Sequence, residues 1–266
     1  MTPGRLEVDS ATGRITGPAK ITYNDPFPTK NGNPGYGAKT MMGLVVHTEV
    51  GNDPGTQAWF NNPASAASAF FAVGQDGSII QFGPVGKDWM AWAQVAGNPL
   101  WYSVEDADNG HPPTPFTDAQ VAGIAQLAEV LSRFAGFPLA VTDSVSTKGI
   151  GVHSMGGAAW GGHYDCPGDV RKAQRPAIVA LAKKIRAGGT VTPPAAPRAK
   201  AHTTAGLGNL AELAAANNCT PAAILQATAE QGPYPADITQ WLDNIFSGAA
   251  SAVTPMQEGL KLYIPA

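Results

Sequence analysis

Strands and helices interleaved along the chain predict an α/β fold, a β-sheet covered by helices, and three observations carry that prediction. Short apolar runs rich in β-branched and aromatic residues recur between residues 43 and 106 and again near 150. Two stretches, 116–136 and Pro176–Arg186, instead repeat their apolar residues at intervals of three and four. The segment AGGTVTPPAAPRAK at 187–200 lacks either period and combines Gly-Gly with Pro-Pro, the composition of a semi-extended linker. It separates a main module, residues 1–186, from a small α+β module, residues 201–266.

Taken in order, GLVVHTEV (43–50) reads as a buried strand, and SAFFAVGQDGSIIQFG (68–83) as two strands hinged at Gln75-Asp76-Gly77. WYSVED (101–106) is a further strand. Residues 116–136 form a helix whose Val121, Ile124, Ala128, Leu131 and Ala135 share a face; Thr117 with Gln120 makes a capping box, and Gly136 ends it. GIGVHS (149–154) returns to strand character. A closing helix is expected over Pro176–Arg186, with Pro in its first turn and Ile178, Leu181, Ala182 and Ile185 on one side.

Composition narrows the function. Hydrophobic residues at 44% suit a globular chain, while 14% charged residues and a net charge of -3 leave no electrostatic footprint for nucleic acid, an anionic membrane or phosphate groups. Residues 1–200 carry 16 Lys and Arg against 15 Asp and Glu, whereas residues 201–266 carry one against five, so the two modules differ in character. No stretch approaches the roughly 18 apolar residues of a membrane span, so no membrane insertion is expected. The N-terminal residues show no charged segment followed by an apolar one, and the expectation is synthesis in the cytoplasm without a signal peptide, any target outside being reached through a separate factor. Cys166 and Cys219 lie in segments of different composition, and Cys166 reads as a reduced, metal-capable thiol.

The chemistry concentrates in GVHSMGGAAWGGHYDCPGD, residues 151–169, which holds two of the five histidines and one of the two cysteines on a glycine-rich scaffold. Two imidazoles and a thiolate are a common way to hold Zn²⁺ with the fourth position open to water. His47 ends the GLVV strand as His153 ends GIGV, and neighbouring strands would bring both to one sheet edge. Cys166 follows on a loop that the glycines allow to fold back. His163, three residues before Cys166, competes for the same place, and spacing alone does not choose between His153 and His163.

These anchors, VVHTEV, SAFFAVGQDGSIIQ, YSVE, the long helix, and GVHS leading to DCPGD, stand in an order that resembles the type 2 N-acetylmuramoyl-L-alanine amidases, which share their fold with peptidoglycan recognition proteins and are widespread as bacteriophage lysins. The resemblance covers residues 40–186 and implies a central mixed sheet with helices, a zinc cofactor and bacterial peptidoglycan as partner. It implies the ligand set His47, His153 and Cys166, and a proton-handling role for Glu105 at the end of its strand. The family places Lys or Thr two residues before the Cys ligand to stabilise the oxyanion; Tyr164 stands there, so that residue is missing, and either His163 as imidazolium or Tyr164 through its hydroxyl can substitute as donor, with His163 the preferred choice and Tyr164 expected to contact substrate. Phe70 and Phe71 replace the Tyr or His of relatives, so any contact there is apolar. Of the tryptophans at 59, 89, 92, 101 and 160, Trp160 is expected to meet a sugar ring, because it lies in the glycine-rich loop. His111, in a proline-rich loop, is expected to do nothing chemical.

Beyond the linker, Leu210, Leu213 and Ala214 suggest one helix, Asn217-Asn218 a turn, and Thr220 with Pro221 the start of a second, followed by a terminal strand. The ending, with Gly259, Leu260, Leu262, Ile264 and Pro265, resembles a LysM-like wall-binding module with Cys219 structural, although GLGNL replaces the usual GDTL and residues 232–254 are inserted. The activity so implied is hydrolysis between N-acetylmuramic acid and L-alanine by a phage endolysin. Its rivals are a zinc endopeptidase cutting within the stem peptide and a recognition protein that binds without cutting.

Overall fold

A computed structural model describes residues 5–25, 27, 32, 40–110, 114–189, 200–203, 212–213, 224 and 261–264. The chain divides into two compact units, residues 1–193 and 194–266.

The first unit is built on a six-stranded sheet. Its strands are β3 (Ile21–Tyr23), β4 (Gly43–Val46), β5 (Phe71–Val73), β6 (Ile79–Gln81), β7 (Trp101–Asp106) and β8 (Gly149–Val152), in the order β3-β6-β5-β7-β4-β8. β5 and β6 are the antiparallel hairpin the sequence predicts, turning through Gly77 at φ +77°, and every other neighbour pair is parallel. The sheet is therefore mixed, as predicted. A small hairpin of β1 (Glu7–Val8) and β2 (Ile15–Thr16), which the sequence did not announce, precedes it. β4 and β8 approach so closely that a Cβ on Gly43 would stand 1.7 Å from the Gly149 carbonyl.

Strand parity decides which side each residue faces. Leu44 and Val46 join Tyr102, Val104 and Ile150 in the main core, under Ile124, Leu127 and Leu131 of α2 (Asp118–Ala135) and Ile178, Ala182 and Ile185 of α3 (Asp169–Arg186). Val45 and Trp101 turn to the other face, where α1 (Asp53–Asn61) supplies Phe60 to a further apolar cluster. α2 carries the predicted capping box of Thr117 and Gln120 and ends at Gly136 with φ +74°.

α3 corrects the sequence reading, since it begins at Asp169 rather than Pro176. A proline inside a helix leaves the carbonyl four residues earlier without its amide donor. Here the side chain of Arg175 donates to the Lys172 carbonyl at 3.0 Å and fills that gap. Arg171 and Arg175 are buried at positions that continue the stripe of Ile178, Ala182 and Ile185, so the apolar pattern stops before the helix does.

In the second unit, β9 (Lys200–Thr203) pairs antiparallel with β10 (Lys261–Ile264). The terminal strand is where the sequence placed one, but its partner begins on Lys200, the last residue of the expected linker. The expectations on Leu210, Ala214, Asn217, Asn218, Cys219, Thr220, Pro221, Gly259, Leu260 and Pro265, and on His111, lie outside the described residues.

Candidate metal centre

The parallel registers of β7, β4 and β8 set Ser103, Val45 and Gly151 side by side. Two residues on, at the C-terminal strand ends where α/β sheets place their ligands, the same parity turns Glu105, His47 and His153 toward one face. The His47 amide extends the ladder by donating to the Val104 carbonyl at 2.9 Å. From His153 the chain enters a 3₁₀ segment to Trp160, breaks at Gly157 (φ +50°) and Gly161 (φ +89°), and returns so that the Ser154 amide donates to the Cys166 carbonyl at 3.0 Å. That closure carries Cys166 back over the strand ends.

Ligand atoms of His47, His153 and Cys166 all lie within 4.8 Å of one another. His47 Nδ1 is 3.9 Å from Cys166 Sγ and 3.7 Å from Glu105 Oε1. Each histidine engages its other nitrogen elsewhere: His47 Nε2 with Gln94 Oε1 at 3.0 Å, and His153 Nε2 with the Trp160 carbonyl at 2.9 Å. Both imidazoles are held neutral, the state a metal requires. Burial, with His153 beside it, drives His47 well below the ordinary histidine range, and burial lowers His153 to about 4, aided by His163 and opposed by the hydrogen bond to Trp160. Burial and the neighbouring Glu105 push the Cys166 thiol up, a cost that a divalent cation among these ligands would offset. Two neutral imidazoles and one thiol, converging with their remaining atoms fixed, fit a zinc ion.

This centre opens on a cleft of about 970 Å³ lined by Glu105, His163 and Tyr164 as well as the three candidate ligands. His163 is exposed and outside the ligand cluster; its ring stacks on His153 with centroids 4.6 Å apart. Tyr164 is 65% exposed on the rim. Glu105 is half-buried, and its partial burial, together with Glu49 and Asp108, raises its proton affinity well above that of an ordinary glutamate. A side recess of about 420 Å³ shares Glu105 and Thr48 with the cleft and contains Glu49 and Trp59.

Trp160 is not placed as the sequence suggested. It lines the cleft, yet it is 3% exposed and packs edge-on against Trp101, which leaves little of the indole open to a sugar ring. Gly156 permits this packing, because a Cβ there would meet the indole at 2.0 Å. The exposed tryptophan beside the centre is Trp59, at 55%, from α1, a helix that the sequence pattern does not signal. Phe70 and Phe71 are core residues and reach no ligand.

Two further residues went unnoticed in the sequence. Gln94 is buried against His47. Arg171, 1% exposed, donates to the Thr48 hydroxyl and to the carbonyls of Asp106, Ala107 and Thr114, tying the start of α3 to the strand ends that carry His47 and Glu105. An arginine on the apolar stripe of α3 was the available signal for the second; a lone glutamine in a loop offers none.

Comparison with known proteins supplies the family. The family model described as N-acetylmuramoyl-L-alanine amidase matches residues 37–169, half of the chain. No curated protein matches by sequence. Among solved structures, the Staphylococcus aureus hydrolase AmiA in complex with its ligand is 19% identical, with 73% of this chain and 100% of that chain covered and a TM-score of 0.49. A mutant endolysin from Bacillus subtilis is 20% identical over 62% and 99% of the two chains, with a TM-score of 0.44. The N-acetylmuramoyl-L-alanine amidase LysC from Clostridium intestinale is 16% identical over 65% and 100%, with a TM-score of 0.40. The half-chain match spans β4 to the start of α3 and includes His47, Glu105, His153 and Cys166, and the chain belongs to the N-acetylmuramoyl-L-alanine amidase family.

Proposed function

We propose that this amidase is a zinc-dependent endolysin that hydrolyses the amide between the lactyl group of N-acetylmuramic acid and L-alanine of the peptidoglycan stem peptide, serving a phage in host lysis. The observation that carries the reading is the convergence of His47, His153 and Cys166 within 4.8 Å at the floor of a cleft that also holds Glu105. The chemistry a bound zinc ion supplies is Lewis-acid polarisation of the scissile carbonyl and acidification of water. Glu105, 3.7 Å from His47, accepts the proton of the attacking water and delivers it to the departing amine nitrogen. His163, exposed at the mouth, donates an N–H to the oxygen that becomes negative, and Tyr164 contacts the substrate beside it. The unit beyond the linker is a LysM-like module that binds the wall and raises the local substrate concentration. The enzyme reaches the wall from the cytoplasm through a separate factor.

Mass spectrometry of purified peptidoglycan after digestion tests the bond. Amidase action gives stem peptides with a free L-alanine amine and glycan strands that keep their length. Amines appearing only within the stem peptide would make the protein an endopeptidase, and no released amine would leave a binding protein.

A further inference from the structure

We infer that Gln94 is a positioning residue for the metal centre: it holds the His47 imidazole in the tautomer protonated at Nε2 and thereby leaves the Nδ1 lone pair facing Cys166 and Glu105. The inference rests on the zinc reading of the cluster for its consequence, though not for the hydrogen bonds that imply it.

A side-chain amide has an accepting end and a donating end, and at Gln94 the surroundings settle which is which. Its Nε2 lies 3.1 Å from the Trp101 carbonyl, which can only accept. The reversed amide would set two oxygens against each other at that distance. The opposite end, Oε1, therefore faces His47 Nε2 at 3.0 Å and can only accept, so the ring nitrogen there must carry the proton. An imidazole that ligates a cation carries a single proton, and here that proton is on Nε2. Nδ1 is then the bare nitrogen, 3.9 Å from Cys166 Sγ.

The loop around Gln94 is built to keep this amide in place. Gln94 is 1% exposed. The Asn98 side-chain oxygen accepts from the amides of both Ala93 and Gln94, at 3.0 and 2.6 Å. The next residue, Val95, takes φ +46° while 63% exposed, a backbone conformation that is costly for a β-branched side chain. The turn thus accepts strain at Val95 beside a buried, doubly hydrogen-bonded Gln94. His153 receives the equivalent service from the Trp160 carbonyl, a backbone group, which leaves Gln94 as the side chain through which the device can be tested.

The test combines nitrogen-15 NMR of the imidazoles in zinc-free protein with zinc affinity by chelator competition, for the wild type, Gln94→Leu and Gln94→Glu. The expected wild-type spectrum shows His47 protonated at Nε2. Gln94→Leu mixes the tautomers and weakens zinc about 10- to 100-fold, as loss of an outer-shell partner does, whereas Gln94→Glu, protonated on the oxygen that meets the Trp101 carbonyl, keeps an acceptor toward His47 and stays within about threefold. His47 protonated at Nδ1 in the wild type, or an unchanged tautomer and affinity in a folded Gln94→Leu, overturns the inference. Should Gln94→Leu fail to fold, the wild-type and Gln94→Glu spectra still decide it. A wild type that shows the Nε2 proton but takes up no zinc overturns the zinc reading alone.

Discussion

Glu105 shows how one residue's placement supports the task proposed for it. It follows Ser103 on β7 by the two-residue step that keeps a face, and its carboxylate comes 3.7 Å from His47 Nδ1 with the side chain 15% exposed. A carboxylate so placed is close enough to move a proton at the cleft floor and is not part of the three-residue ligand set. Glu105→Gln preserves shape and removes the proton-carrying oxygen. It is expected to lower kcat by about 100- to 10,000-fold while zinc content, measured by atomic absorption, stays at the wild-type value. Full activity would remove Glu105 from the mechanism, and loss of zinc would make it a ligand. Trp160 teaches the opposite lesson: glycines around an aromatic residue suggested an open face, whereas Gly156 exists to let the indole pack inward and its backbone carbonyl hold His153.

Among the elements, α1 is the one whose start bears a testable cost. Asn52 caps it, accepting from the Gly55 amide, and Asp53 stands in the first turn. A carboxylate suits a helix N-terminus, yet burial, reinforced by Asp76 and opposed by Lys20, raises Asp53 to about 6 from an ordinary 3.8. The folded state therefore binds more protons than the unfolded state between those values, and stability falls as pH rises from about 4 to about 6. In zinc-free protein, Asp53→Asn should remove that part of the slope and stabilise at pH 7, by up to about 3 kcal/mol, in urea melts across the range. An unchanged slope would show that Asp53 ionises normally. The sequence exposed the elements whose patterns are local. The hairpin at Gly77 and α2 with both caps were legible because turn chemistry and apolar period agree there. α1 was not, because DPGTQAWFN buries only Thr56 and Phe60 and shows no stripe. The first two turns of α3 escaped because arginines occupy its buried positions. His47, His153 and Cys166 could be named from strand ends and family order, but Gln94 and Arg171 act through contacts spanning 47 and 123 residues, which no local pattern records.

At the scale of the molecule, three parallel strands end together, and the proposed ligands and proton carrier are delivered to that edge: His47 from β4, Glu105 from β7, His153 from β8 and Cys166 from the loop that closes over them. The packed face under α2 and α3 keeps the strands in register, and Arg171 locks the start of α3 to their ends. Among the described residues no helix is long and apolar enough to cross a membrane. The three converging side chains are proposed to hold zinc for amide hydrolysis, and zinc content with amine release from peptidoglycan, measured side by side for the wild type, Cys166→Ser and His163→Ala, decides the matter. About one zinc per wild-type chain is expected, with loss of both zinc and activity in Cys166→Ser, and retained zinc with slower release in His163→Ala. A wild type without zinc, or zinc lost from His163→Ala and kept by Cys166→Ser, would contradict the proposal.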